Sequence, residues 1–278
     1  MQVEQLWSDE DAARLASFRQ AVSEERLATA LLALEGADAP TTARCEASLD
    51  QWAELLSLRV QPDNATRCAD GLRKLMVRQL SFRGDTKDYY NADNARLSRV
   101  IDRRKGMPIL LSSVWIEVGR RAGIEMHGIG MPGHFIARVG GREGPLVDPF
   151  SGGCRLSIKQ CAHIVGRLSD RALPWTEEYL RPVLCDKIVE RVLRNLLHAH
   201  RRTGDVLSLF RVSRFHAELR NEDPEPQLLH ACLAEEIGAY HLAEKLYLDV
   251  VVAHPDTKEA RVAKRRYEKV CRHCVAVH

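Results

Sequence analysis

Apolar residues recur at helical spacing through the first 80 positions. DEDAARLASFRQAVSEERLATALLALEG carries leucine and alanine on one face and predicts a helical stretch stopped at Gly36. After the break ADAP, TTARCEASLDQWAELLSLRV predicts a helix with Leu49, Trp52 and Leu56 on one side, and NATRCADGLRKLMVRQLSF repeats the pattern beyond Pro62. The character changes near residue 81. FRGDTKDYYNADNARLSRVIDRRKG is polar and turn-rich, with Asp93 and Asn94 placed to cap a short helix over 95–102. Gly106 and Pro108 introduce ILLSSVWIEVGRRAG, an amphipathic helix apolar at Ile109, Leu110, Val114 and Val118 and stopped by Gly123. IEMHGIG, HFIARVG and PLVDPF are short, rich in branched apolar residues and punctuated by glycine and proline, as strands are. From about residue 185 the helical period returns to the end of the chain.

These patterns predict an α+β fold in three parts: an N-terminal helical region over 1–80, an α+β domain over 81–182 and helical hairpins over 183–278. Within the last part Gly204 and Gly238 lie 34 positions apart, each between two helices. That period belongs to repeats of the tetratricopeptide kind. Two such repeats are marginal alone, so they are expected to pack on neighbouring elements.

Composition narrows the function classes. The chain has 278 residues, 45% hydrophobic and 28% charged, which excludes disorder on a large scale. No run approaches the roughly 18 apolar residues of a membrane span. The start MQVEQLWSDEDAARL has no apolar stretch behind a basic end, so a cytoplasmic protein is expected. Net charge is only +3, and the basic runs VIDRRKG, HAHRRTG and ARVAKRRYEK read as solvated helix surface. With aromatics at 6%, stacking platforms for nucleic acid are scarce, and nucleic acid is not an expected partner. The eight cysteines are irregularly spaced and read as buried thiols. At the C-terminus CRHCVAVH offers Cys271, Cys274 and His278, which amount to half a zinc site without its second pair. No cofactor is expected.

Only the middle stretch offers chemistry. His134 opens one predicted strand and Asp148 closes another, and a turn at GGRE would bring them side by side. An aspartate accepting from one imidazole nitrogen leaves the other free to act as a base. A third member would be a thiol or hydroxyl at a helix N-terminus, where the helix field lowers a thiol pKa. That helix start is Gly106-Met107-Pro108 and carries no nucleophile. Ser112 is the hydroxyl candidate one turn in, although a serine inside a helix more often bonds back to the preceding turn. Cys154, after DPFSGG, is a candidate at the sheet edge with a buried thiol as the simpler reading. The turns GMPGHF and DPFSGG suggest a shaped cleft, Arg103, Arg104 and Lys105 a rim, and Tyr89 and Tyr90 a lid.

The stretch FRGDTKDYYNADNARLSRVIDRRKGMPILLSSVWIEVGRRAGIEMHGIGMPGHFIARV followed by LVDPFSGG resembles the bacterial SirB family. The resemblance implies a transglutaminase-like (papain-like) core joined to C-terminal tetratricopeptide-like repeats. The wider superfamily uses cysteine, histidine and aspartate. Its histidine falls on His134, its aspartate on Asp148, and its cysteine on Pro108. The expectation is therefore a non-catalytic, pseudoenzyme-like module that binds a protein or peptide through the central cleft and the helical repeats. The alternative is a hydrolase, amidase or protease-like enzyme using His134 and Asp148 with another nucleophile or an activated water.

Overall fold

The computed structural model describes residues 9–168 and 172–276, with side chains to residue 272. It divides into two compact units. One is Ala21–Val192; the other joins the described residues up to Gln20 to those from Leu193 onward.

The helical stretch expected to run unbroken to Gly36 is two helices, α1 (Asp9–Ser23) and α2 (Leu27–Glu35). The chain breaks at Glu25, which is left-handed at φ 56, as the Arg26 N–H turns back to the Ala21 carbonyl at 2.8 Å. The break frees the Glu25 carboxylate to accept the Cys185 N–H at 3.0 Å, a helix-end donor with no partner in its own helix. Next, α3 (Ala39–Ser57) starts at Asp38, whose side chain accepts the Thr41 N–H, and it buries Leu49, Trp52 and Leu56 as predicted. Asn64 caps α4 (Ala65–Arg73), which widens into a π turn over Lys74–Gln79.

Two short parallel strands, β1 (Arg83–Gly84) and β2 (Lys105–Gly106), bracket the polar segment. Its helix, α5, is Leu97–Arg103, preceded by a 3-10 turn over Ala92–Ala95. Neither predicted cap acts as one for α5. Asn91 accepts the Asp93 N–H, and Asn94 is fully buried, donating to the carbonyls of Asp88 at 2.7 Å and Tyr89 at 3.2 Å. A buried amide that satisfies two loop carbonyls removes a larger penalty than one capping N–H would.

α6 (Pro108–Arg121) is buried from Pro108 to Gly119, and α2, α3 and α5 pack around it. Gly123, at φ +78, ends it as expected. The sheet follows: β3 (Met126–Ile129), β4 (Ile136–Val139), β5 (Leu146–Asp148) and β6 (Cys154–Leu156), then α7 (Ile158–Leu168) and β7 (Pro182–Val183). Strand order is β6-β5-β4-β3-β7, antiparallel throughout. Cys161 and Val165 of α7 join Ile129, Ile136 and Leu146 on one face. Met126 meets Gly119 of α6 on the other. Covered on both faces, β4 is buried at every position, so its sequence does not alternate.

The remaining helices are α8 (Cys185–Thr203), α9 (Val206–Leu219), α10 (Pro224–Glu236), α11 (Tyr240–Ala253) and α12 (Lys258–Ala276). From α9 to α12 each packs on the next. Asp205 and Asp223 cap α9 and α10 through the N–H groups of Ser208 and Glu225. Phe18 of α1 meets Phe215 of α9 edge-on, with centroids 5.1 Å apart. The core between α9 and α10 holds Ser213 and His230, 2.8 Å apart. Burial pushes the His230 pKa down to about 3, so this imidazole is neutral and structural. No described helix is long and apolar enough to cross a membrane.

Candidate functional site

Asp148 ends β5, and the chain turns sharply over 149–153. The carboxylate organises that turn. Oδ1 accepts the N–H groups of Phe150 at 3.0 Å and Ser151 at 3.2 Å, and Oδ2 accepts the Ser151 hydroxyl at 2.8 Å. The Gly153 N–H closes the loop on the Asp148 carbonyl at 2.8 Å. Gly153 is required there: its φ is +65, and a Cβ would stand 2.3 Å from Cη2 of the buried Trp115.

His134 lies in the turn leading into β4, not within the strand, its N–H donating to the Met131 carbonyl at 3.2 Å. Gly133, at φ +72, makes that turn. The ring crosses to Asp148 with Nε2 to Oδ2 at 2.9 Å, and both residues are buried. Burial alone raises the Asp148 carboxyl pKa. The hydrogen bonds and charge of His134 and the bonds from Ser151 outweigh it, and the net shift is downward. Asp148 is thus an ionised acceptor that fixes the ring through Nε2 and leaves Nδ1 as the remaining ring nitrogen.

The predicted nucleophile position stays empty of chemistry. Pro108 is the first residue of α6, behind Met107, and suits a position whose N–H would be unpaired anyway. Ser112 is fully buried and its hydroxyl points to the Phe135 carbonyl at 3.4 Å, while Ser113 bonds back to Ile109 at 2.8 Å. Cys154 pairs with Asp148 in the β5–β6 register, so the two side chains share a face of the sheet. Burial and then the Asp148 charge push its thiol pKa up, which keeps it protonated. Among the described residues the His134 ring is hydrogen-bonded to Asp148 and to no hydroxyl or thiol.

Aromatic residues build the surroundings. The Phe150 ring lies 6.3 Å from His134 and 6.0 Å from Tyr89, edge-on to both. Tyr89 packs in turn on Tyr90 at 5.2 Å. The loop bearing these tyrosines is tethered. Asn94 holds the Tyr89 carbonyl, and Arg103 bonds the Asn94 side chain at 3.2 Å and the buried Asp85 at 3.0 Å. The expected rim of Arg103, Arg104 and Lys105 therefore does not form as a set. Arg103 is committed to Asp85, and Arg104 lies over Trp52 at 4.2 Å and Phe82 at 5.0 Å. Sequence reasoning missed Ser151, and it missed Arg191, whose Nη1 donates to the Met131 carbonyl at 2.9 Å. Ser151 was legible as the third residue after an aspartate in a glycine-bearing turn. Arg191, on α8, gave no signal that separates it from a solvated helix charge.

No group of three or more metal-ligating side chains occurs among the described residues. Cys271 donates to Glu244 at 3.4 Å; the Cys274 side chain and His278 lie outside the described residues. A cavity of about 720 Å³ opens among α10, α11 and α12, in the other unit from His134. Its opposing charges, Glu235 and Arg266, pair with each other at 3.0 Å.

Residues 43–194 match the family described as the transglutaminase-like superfamily. The chain is similar to a UPF0162 protein of Xylella fastidiosa, 36% identical over 140 residues that cover 48% of this chain and 49% of the relative. A UPF0162 protein of Pseudomonas aeruginosa is 32% identical over 52% of this chain and 53% of its own length. F-box only protein 21 of Homo sapiens is 29% identical over 53% of this chain and 24% of its own length. The match spans about half the length of these bacterial relatives. With an α+β core and a family match over more than half its residues, the chain belongs to the transglutaminase-like superfamily.

Proposed function

We propose that this protein is a non-catalytic, SirB-type member of the superfamily that binds a peptide segment of a partner protein at the His134 cleft. One observation carries the reading. The His134 ring is fixed by a saturated Asp148, yet the helix start that would supply a nucleophile supplies Pro108. The aromatic cluster beside His134, Phe150 with Tyr89 and then Tyr90 packed on it, suits binding: rigid aromatic surface costs little conformational entropy when it orders a ligand. Tyr89 and Tyr90 are 36% and 57% exposed. The helices after residue 183, read as tetratricopeptide-like hairpins, add a second surface for the same partner, and the setting is cytoplasmic. The rival reading, a hydrolase or amidase, draws on the remaining nitrogen Nδ1, which could polarise a water.

The test is selection of displayed peptides on the full chain, repeated with His134→Ala and Tyr89→Ala. The expected result is an enriched family of peptides whose binding weakens about tenfold or more in both variants. Enrichment of no sequence, or of sequences that bind both folded variants unchanged, would sink the proposal.

A further inference from the structure

A carbonyl beside the His134–Asp148 pair carries two donors. The Met131 oxygen that accepts the His134 N–H at 3.2 Å also accepts Nη1 of Arg191 at 2.9 Å. The guanidinium is therefore anchored on the same turn as the imidazole. Its carbon lies over the Phe135 ring, 5.6 Å from the centroid. Arg191 is half-buried, and among the described residues no carboxylate lies within ion-pair distance of it. The titratable group near enough to influence it is the Tyr89 phenol. Burial lowers the Arg191 pKa, and burial first raises that of Tyr89 before the arginine charge offsets part of the rise.

A charged group taken from water with one carbonyl and one ring for company is an incomplete arrangement. Two part-buried arginines elsewhere in this unit are completed by acids, Arg103 by Asp85 at 3.0 Å and Arg121 by Asp50 at 2.6 Å, whereas Arg104 rests on the rings of Trp52 and Phe82. A guanidinium presents five N–H donors in a planar fork that matches a carboxylate, and one bond to Met131 leaves most of them unused. Tyr89, whose phenol is near enough to feel the Arg191 charge, has its backbone pinned by Asn94 and its ring on Phe150, which itself meets His134.

We infer that Arg191 and the Tyr89 hydroxyl form a carboxylate-binding subsite beside His134, so that the bound peptide carries a free carboxylate, from its C-terminus or an acidic side chain. The aromatic surface of Phe150 takes the apolar part of that residue. The inference rests on the reading of the His134 cleft as a peptide-binding site and names the chemistry it selects.

Hippurate, an aromatic acyl-glycine with a free carboxylate, is the probe, with its uncharged amide as control. Each is titrated into the full chain while the His134 ring resonance, assigned from a His134→Gln spectrum, is followed. Hippurate is expected to shift that resonance and to bind about tenfold or more tightly than the amide. Arg191→Gln should abolish the preference and Tyr89→Phe reduce it. Equal binding of acid and amide, or a preference that survives in Arg191→Gln, overturns the carboxylate subsite and leaves peptide binding standing. A His134 resonance that hippurate does not move also overturns the subsite, while the wider reading is decided separately by the peptide selection. Should Arg191→Gln not fold, the acid–amide contrast in the native protein and in Tyr89→Phe decides the question.

Discussion

Asp148 accepts from four donors: the His134 ring, two backbone N–H groups and the Ser151 hydroxyl. Asp148→Ala strips all four at once in a buried place, and a loss of about 2–4 kcal/mol is expected in urea unfolding at neutral pH. Because the folded-state pKa of Asp148 lies below its ordinary value of about 3.9, this stabilisation is full above that pH and is lost as pH falls through the folded pKa. The stability gap between the native protein and Asp148→Ala should thus narrow on acidification. Glu35 behaves in the opposite sense. Its Oε1 accepts the Ser98 N–H at 3.0 Å, Oε2 is buried without a partner, and burial raises its pKa to about 7. The folded state then holds a proton that the unfolded state releases near pH 4.5. This group's contribution is greatest at low pH and declines as pH rises from there to about 7. Glu35→Gln keeps an acceptor for Ser98, so it should gain on the native protein by about 1–3 kcal/mol between about pH 5 and about pH 8. A gap that does not change with pH would contradict this. At this scale His134 and Asp148 were legible because each sits at a strand junction marked by glycine or proline. Glu35 and Arg191 were not, since burial of a charge on a helix depends on what packs over it.

The loop over 149–153 and α6 form one working piece, since Gly153 lies on Trp115 and holds the Asp148 carbonyl. Gly153→Ala combines a left-handed backbone with a clash into a fixed ring. It should cost about 2–4 kcal/mol, read as a lowered midpoint of thermal or urea unfolding; an unchanged midpoint would show that the loop is not tied to α6. Among elements, α3, α6 and the strands β3, β4 and β5 follow from periodicity, turn residues and caps. The break between α1 and α2 does not, because it depends on Glu25 reaching a distant helix end. The three-residue β6 and two-residue β7 are too short for any period, and β7 begins with Pro182, a residue that speaks against a central strand.

On the scale of the molecule, the α+β core that matches the transglutaminase-like superfamily holds the His134–Asp148 pair. The helices on either side of that core were legible as helices. How α1 and α9 share a core through Phe18 and Phe215 was not, because the contact joins the two ends of the sequence. The central claim is that the His134 cleft holds its ligand without transforming it. It is tested most directly by incubating a peptide selected on the full chain with the native protein and then weighing both by mass spectrometry. Both masses are predicted to be unchanged. A cleaved, deamidated or protein-linked peptide, formed by the native protein and absent with His134→Ala, would contradict the claim.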